Sequence, residues 1–260
     1  MKTRALICGN LVLLLLVAWS AQAAETTKLS ARSGSKMRLE GTSNIHDWQV
    51  ESTLIAGSLE VGPNFPLDPG QTVTPGKVDA KGEAWVTVRS LKSLEKDGKP
   101  YSDKMDEVMY EKMKMQEYPK LVYHLTELTL KESAKAKDAP YVFEAKGDLA
   151  VAGVTNSITM PVNVLPLGEK KLKISGSTTV KMSEFKIEPP APKIALGMIK
   201  TGDDVKIIFD WLVAPKATSS SAAATPLFYL PARPKTACKS CRKRCVKLTE
   251  IRSFIRNMPN

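Results

Sequence analysis

The central part of the chain has no cysteine, since the four cysteines of the sequence are Cys8 and three residues beyond position 237. Disulfides therefore cannot stabilise the stretch from Ala24 to Ala214. A domain of that length buries enough apolar surface to fold without them. After Ala18 the chain also lacks any apolar run of the roughly 18 to 20 residues that a transmembrane helix needs.

The same central part has no excess of charge. Of the 38 basic and 27 acidic residues, 26 of each lie between Ala24 and Ala214. The net positive charge of the chain beyond its N-terminal segment lies in residues 215–260. A nucleic-acid-binding surface is therefore not expected on the central part.

The N-terminal segment has the three parts of a secretory signal peptide. Lys2 and Arg4 precede the apolar run Leu11–Ala18, and the small-residue sequence Ala21-Gln22-Ala23 follows it. This pattern predicts a signal peptide over residues 1–23 and an exported mature protein.

Most of the chain from Met37 to Val213 alternates between apolar and polar residues, the period of a β-strand. Eight strands are predicted, with apolar positions at Met37 and Leu39; Trp48, Val50 and Ser52; Ala84, Val86 and Val88; Leu121, Tyr123 and Leu125; Tyr141 to Leu149; Ile158 to Val164; Leu172 to Val180; and Val205 to Val213. Turn-forming residues crowd Gly62–Gly76 and Gly153–Asn156. Locally joined strands with one apolar face predict an all-β antiparallel sheet, and about eight of them close most economically into a barrel.

One segment breaks the alternation. In residues 102–116, three methionines four positions apart, Met105, Met109 and Met113, share a helical face, and Ser102 is a suitable N-cap. The segment predicts a single helix inserted between strands. The methionines either pack on the barrel or form a lid that tolerates ligands of varied shape.

Residues 215–260 form a low-complexity linker followed by a basic tail, for which we predict disorder. Cys238, Cys241 and Cys245 have zinc-like spacing, but a structural zinc site needs four ligands and the tail has no histidine. In an oxidising compartment they indicate one disulfide plus a free thiol, or pairing between chains. Leu248, Ile251 and other apolar residues at helical spacing would suit weak contact with an anionic membrane.

Several ordered motifs resemble those of the YceI-like family of exported bacterial proteins, over about residues 28–214. The motifs are His46 with Trp48, VTVRSLKS at 86–93, EYPKLVY at 117–123, GDLAVAGVT at 147–155 and KTGDDVKI at 200–207. The tyrosine-proline pair at Tyr118-Pro119 is the most specific of them. Many members carry Asp-x-His where the helix begins, and this chain has Asp103-Lys104-Met105 instead.

The resemblance implies an extended lipocalin-like barrel whose lumen holds a polyisoprenoid or a similar apolar or amphiphilic ligand. It implies no enzyme activity and no cofactor, and it favours the bacterial periplasm over the medium. A homodimer is left open. The alternative is a structural or interaction module with a filled core, which acts through its surface and its basic tail.

Alternation places a set of apolar side chains on the inner face, where they either fill the barrel or line a cavity. With the rim and helix positions added, the predicted ligand-binding residues are Met37, Leu39, His46, Trp48, Met105, Met109, Leu121, Tyr123, Phe143, Phe209 and Trp211. A lumen lined in this way would select apolar ligands.

His46 and Asp47 are adjacent, and in a strand their side chains would point to opposite faces, so they do not predict a catalytic pair. His46 is interpreted as a rim residue that makes a structural hydrogen bond, contacts a ligand head group, or ligates a metal or haem. His124 alternates out of phase with Tyr123 and is predicted to face outward. No catalytic residue and no metal site are predicted.

Overall fold

The computed structural model describes residues 26–191 and 199–216 of the chain. The described strands are β1 Thr27–Ala31, β2 Lys36–Ser43, β3 Trp48–Ser52, β4 Ala56–Val61, β5 Gly76–Val78, β6 Ala80–Thr87, β7 Lys92–Leu94, β8 Lys120–Glu132, β9 Tyr141–Val151, β10 Val154–Gly168, β11 Lys171–Lys181 and β12 Thr201–Pro215. A helix, α1, spans Asp103–Lys112, and 3₁₀ turns lie at Val88–Ser90 and Ser183–Phe185. The predicted signal peptide, the tail from residue 217 and its three cysteines lie outside the described residues.

β1 closes the sheet into a barrel. Leu29 of β1 is opposite Leu59 of β4 on one side and Pro215 of β12 on the other. Eight strands run around the ring in the order β1-β4-β6-β8-β9-β10-β11-β12, and each pair is antiparallel. The predicted all-β antiparallel barrel of about eight strands with one helix is confirmed.

Beside β12, the sheet extends beyond the eight-stranded ring. After a turn at Arg32–Ser35, β2 continues along β12, and β3 and β7 pair in succession beside it. The predicted strands correspond to β2, β3, β6 and β8 to β12, whereas the ring itself uses β1 and β4 in place of β2 and β3. β1, β4, β5 and β7 were not predicted, because they are short and carry few large apolar residues to mark an alternation.

The alternation of the longer strands does place one face in the core. Along β9 every second residue from Tyr141 to Val151 is buried, and the intervening residues are exposed or half-buried. On the outer face, opposite charges meet across strands, as in the pair between Lys131 and Glu144 at 2.9 Å. These cross-strand pairs are consistent with the neutral charge of the central part.

Local boundaries differ from those predicted. The β9–β10 turn is the two-residue loop Ala152-Gly153, both at positive φ, rather than Gly153–Asn156. α1 ends at Lys112 and not at Gln116, since Lys114 has a left-handed backbone that stops the helix. Val88, expected in a strand, begins a 3₁₀ turn and is buried. β12 extends one residue beyond the predicted domain end, to Pro215.

Candidate ligand-binding lumen

A cavity of about 140 Å³ runs inside the barrel. Its lining comes from nearly every strand of the ring and is predominantly apolar. The lining residues are Met37, Ile55, Leu59, Phe65, Gly82, Glu83, Ala84, Trp85, Val86, Leu121, Tyr123, Leu125, Leu128, Ala145, Leu149, Ile158, Met160, Val162, Val164, Ile174, Thr178, Ile207, Phe209 and Trp211. The interior is therefore neither fully packed nor a wide channel.

Two aromatic rings lie against the barrel wall because a glycine faces each of them. A Cβ on Gly147 would lie 2.6 Å from the Oη of Tyr123, and a Cβ on Gly176 would lie 2.8 Å from the Cζ of Phe209. Such distances are far below van der Waals contact, so only glycine leaves room for these rings. The glycines thus keep two large side chains at the edge of the lumen instead of across it.

The long loop between β4 and β5 contributes Phe65 to the lining of the lumen. Phe65 in this loop is buried and stacks on Phe143 of β9, with ring centroids 5.5 Å apart and planes 13° apart. The hydroxyl of Tyr141 donates a hydrogen bond of 2.5 Å to the carbonyl oxygen of Gln71 and ties the same loop to the barrel. These two contacts hold the loop against the barrel, and we call this part of the lining the floor.

Two residues of the lining each carry a buried polar atom that has no hydrogen-bond partner within residues 26–191 and 199–216. The atoms are the buried Oη of Tyr123 on β8 and the buried Nε1 of Trp211 on β12. Burial, together with the negative charge of Asp148, raises the pKa of Tyr123 to about 12. Its phenol therefore stays neutral and keeps its O–H donor at physiological pH.

Five of the eleven sequence-predicted ligand-binding residues meet at the cavity. They are Met37, Leu121, Tyr123, Phe209 and Trp211. They come from β2, β8 and β12, and their side chains share the inner face because they occupy alternate strand positions.

Five further predicted residues lie elsewhere. Leu39 and Phe143 are buried in the core beside the cavity lining, and Phe143 packs on the floor loop. Trp48 is half-buried, lies against Gly41 and donates from Nε1 to the carbonyl oxygen of Thr42 at 3.3 Å.

On α1 the predicted methionine face is divided. Met109 packs against the core, whereas Met105 is 39% exposed. Met113, which follows the last residue of α1, is buried in the core. The buried residue within the helix itself is Asp106, so a carboxylate anchors α1 together with two of the three predicted methionines.

His46, the eleventh predicted residue, lies in the turn between β2 and β3 rather than in a strand, so the alternation argument does not apply to it. It is exposed, its Nδ1 is 2.9 Å from the carbonyl oxygen of Asp47, and its ring meets the edge of Tyr101 at 6.0 Å. It does not line the cavity. His124 is exposed and 3.4 Å from Glu83, which confirms its predicted outward position.

Phe65 is the lining residue that sequence reasoning missed most completely. It lies in a proline- and glycine-rich loop, where no periodicity marks an inward position. Leu59 of β4 was also missed, although Leu59 and Val61 alternate with polar neighbours over the short run Ala56–Val61. A floor contributed by a loop becomes visible only once the strands on either side are placed.

Across the described ranges, 26–191 and 199–216, no helix is long and apolar enough to cross a lipid bilayer. The same residues contain no group of three His, Cys, Asp or Glu side chains that could hold a metal ion.

A closed antiparallel ring of eight strands around an apolar lumen defines a lipocalin-like β-barrel. The family model of the YceI-like domain matches residues 54–212, and the chain belongs to the YceI-like family. A search of curated proteins finds no match.

The solved structures to which the chain is similar include those of three bacterial proteins. A polyisoprenoid binding domain from Saccharophagus degradans, implicated in plant cell wall breakdown, is 11% identical, with 72% of this chain and 98% of that chain covered and a TM-score of 0.51. BcnA of Burkholderia cenocepacia is 18% identical, with coverage of 69% and 96% and a TM-score of 0.48. The YCEI protein of Campylobacter jejuni is 15% identical, with coverage of 64% and 84% and a TM-score of 0.41. At these identities the likeness to the first extends to the fold alone.

Proposed function

We propose that the mature chain is an exported, non-catalytic binding protein that holds a long apolar or amphiphilic molecule, such as a polyisoprenoid, in the barrel lumen. The observation that carries this proposal is the apolar cavity along the inside of a closed barrel. The signal-peptide pattern of residues 1–23 supports export, and the polyisoprenoid binding domain of similar fold supports the ligand class.

Burial of hydrocarbon supplies the affinity. Each methylene moved from water into such a lumen contributes about 0.8 kcal/mol. About 15 buried carbons would contribute roughly 12 kcal/mol before the costs of ordering the ligand are subtracted. Tight binding therefore requires no ionic anchor.

The size of the cavity limits what enters without rearrangement. At about 140 Å³ it is close to the volume of roughly 150 Å³ at which an apolar cavity in another protein stays dry and binds benzene. A long chain therefore requires the lining side chains to move apart. Met37 and Met160 suit this movement, because unbranched thioether side chains repack at low cost.

The same small volume favours a second candidate function. If the lining does not move, the barrel is a nearly filled core, and the chain acts as an interaction module through its surface and its basic tail.

Native mass spectrometry of the full chain, expressed in a bacterium with its own signal segment and purified without detergent, tests the proposal. We expect the protein in the exported fraction, with an apolar mass bound or with uptake of added solanesol after delipidation. A folded protein that takes up no solanesol would favour the interaction module.

A variant pair locates the binding site. Phe209→Asp puts a charge into the lumen and should abolish uptake, whereas Thr179→Asp, on the exposed face of β11, should not. Circular dichroism checks that both variants fold. Thr178→Phe, which adds bulk to the lining without charge, should reduce uptake if Phe209→Asp does not fold.

A further inference from the structure

A second pocket, with a volume of about 600 Å³, lies on the outside of the barrel. One of its walls is the end of β6 with the 3₁₀ turn that follows, and the other is the segment that leads from α1 into β8. The lining includes Thr87, Arg89, Met115, Gln116, Pro119 and Lys120.

This outer pocket is separated from the lumen by the barrel wall. Thr87 and Lys120 are exposed and lie opposite each other across β6 and β8. Their strand neighbours Val86 and Leu121 are buried and line the lumen. Because successive strand residues point to opposite faces, the outer pocket and the lumen lie on the two faces of the same strands.

The outer pocket carries two positive charges and no negative one. Arg89 and Lys120 are in its lining, and no aspartate or glutamate is among the described lining residues. Neither cation forms an ion pair with another residue of the ranges 26–191 and 199–216. The ammonium nitrogen of Lys120 lies 5.1 Å from the ring centroid of Trp85, which holds it by a cation–π contact. The two charges are therefore available to an anion.

The walls of the outer pocket are joined to each other by hydrogen bonds. The backbone N–H of Val88 donates to the carbonyl oxygen of Pro119 at 2.9 Å. The hydroxyl of Tyr110 on α1 donates to the carbonyl oxygen of Leu91 at 2.9 Å. The spacing of the walls is thus set by the fold, which lowers the cost of ordering them around a ligand.

The chemistry of the lining favours a phosphate group. An arginine guanidinium matches the geometry of phosphate oxygens with two parallel N–H bonds. A phosphate monoester carries about −1.5 to −2 charges at pH 7, which balances the two cations, whereas a carboxylate carries one. The hydroxyl of Thr87 and the amide of Gln116 add neutral donors, and Met115 and Pro119 offer an apolar surface to the organic part of the ligand.

We propose that the outer pocket is a second binding site, for a phosphate monoester, in which Arg89 and Lys120 bind the phosphate group. The phosphate belongs either to a soluble ester or to the head group of an anionic lipid. The site does not depend on the lumen, so the proposed function and this inference stand or fall separately.

The first test is a chemical-shift titration of the ¹⁵N-labelled full mature chain with glycerol 3-phosphate. The variant is Arg89→Gln with Lys120→Gln. The control is Lys137→Gln with Lys206→Gln, which removes the same charge from two exposed positions outside the lining. We expect shifts at the amides around Arg89 and Lys120. The dissociation constant should rise about tenfold or more in the variant and less than about twofold in the control.

Glycerate, which replaces the phosphate by a carboxylate, tests the class of anion. It should bind more weakly than glycerol 3-phosphate, and equal affinity would overturn the assignment to phosphate.

The second test distinguishes the two sources of phosphate. Sedimentation with phosphatidylcholine vesicles is measured with and without added phosphatidic acid, whose head group is a phosphate monoester. The basic tail is present in every protein, so its attraction to the vesicles cancels in the comparison. A lipid ligand predicts that binding to phosphatidic acid falls in the Arg89 and Lys120 variant alone. A soluble ligand predicts equal vesicle binding by variant and control, with the glycerol 3-phosphate result unchanged.

Two outcomes would overturn the inference. One is an equal loss of binding in variant and control, which would mean that only the net charge matters. The other is the absence of shifts around Arg89 and Lys120 together with equal vesicle binding by both proteins. Uptake of solanesol into the lumen would be unaffected by either result.

Discussion

The carboxylate of Asp106 accepts a hydrogen bond from the backbone N–H of Ser93, with 2.7 Å between Oδ1 and N. The ammonium group of Lys92 lies 2.9 Å from the other carboxylate oxygen. Asp106 is only 4% exposed. These bonds join α1 to β7, so the inserted helix is held by a buried polar contact and not by its methionines alone.

Replacing Asp106 tests this anchor. Asp106→Asn should lower the free energy of unfolding by about 1–3 kcal/mol, because the buried amide cannot reproduce both charge-assisted bonds. Urea unfolding monitored by circular dichroism measures the change. Asp103→Asn, at an exposed position in the first turn of the same helix, should change stability by about 0.5 kcal/mol or less. Equal effects would mean that Asp106 acts only through the helix dipole.

The contribution of Asp106 should also depend on pH. Burial by itself raises the pKa of Asp106, but the hydrogen bonds from Ser93 and Lys92 outweigh it and leave the pKa below its ordinary value. A carboxyl group with a lowered folded-state pKa stabilises the fold above its unfolded pKa of about 3.9 and loses that contribution as the pH falls through the folded value. The stability difference between wild type and Asp106→Asn should therefore be complete at neutral pH and shrink below about pH 4. A difference that is constant throughout an acid titration would contradict this assignment.

Substitution of Phe65, in the floor of the lumen, should lower the stability of the protein strongly. Phe65→Ala removes a buried ring that stacks on Phe143, and such substitutions cost about 3–5 kcal/mol. Thermal and urea unfolding measure the loss. Tyr101→Ala is the control, because Tyr101 is 46% exposed, and it should cost much less. A small loss at Phe65 would show that the loop between β4 and β5 is not a structural part of the barrel.

Gly176 leaves room for the ring of Phe209, so the effects of substitutions at these two positions on stability should be coupled. Gly176→Ala should destabilise the protein by about 1–3 kcal/mol, because the new Cβ meets the ring of Phe209. Phe209→Leu should recover part of that loss in the double variant, although the contact with the carbonyl of Pro161 at 2.9 Å remains. A double-mutant cycle in urea measures the coupling. Strictly additive losses would show that the ring does not occupy the space beside Gly176.

Much of the barrel could be predicted because its longest strands show a long alternation of apolar and polar residues. β9 and β12 alternate over many residues, and each inward position then follows from the period of two. The ring-closing strand β1 has only five residues, TKLSA, and its role depends on pairing with β12 almost two hundred positions away. No local pattern can contain that information.

The candidate site was predictable to a similar degree. Strand phase identified Tyr123 and Trp211 as inward-facing, but it could not show that their polar atoms lack partners, since that depends on which residues stand opposite. Strand phase also could not distinguish Phe143 from Phe209. Both face inward, but Phe143 packs on Phe65 of the loop, whereas Phe209 lies beside Gly176 and lines the cavity. His46 was interpreted in phase with Trp48, but β3 begins only at Trp48, so His46 lies in the preceding turn.

By itself the sequence determined the class of structure, because alternation, turn residues and the neutral central charge depend only on the order of residues along the chain. The tertiary structure alone decided where the sheet closes, which loop forms the floor and how much space is left inside. These are properties of distances between segments remote in sequence, and a cavity exists only where side chains from all of them fail to meet.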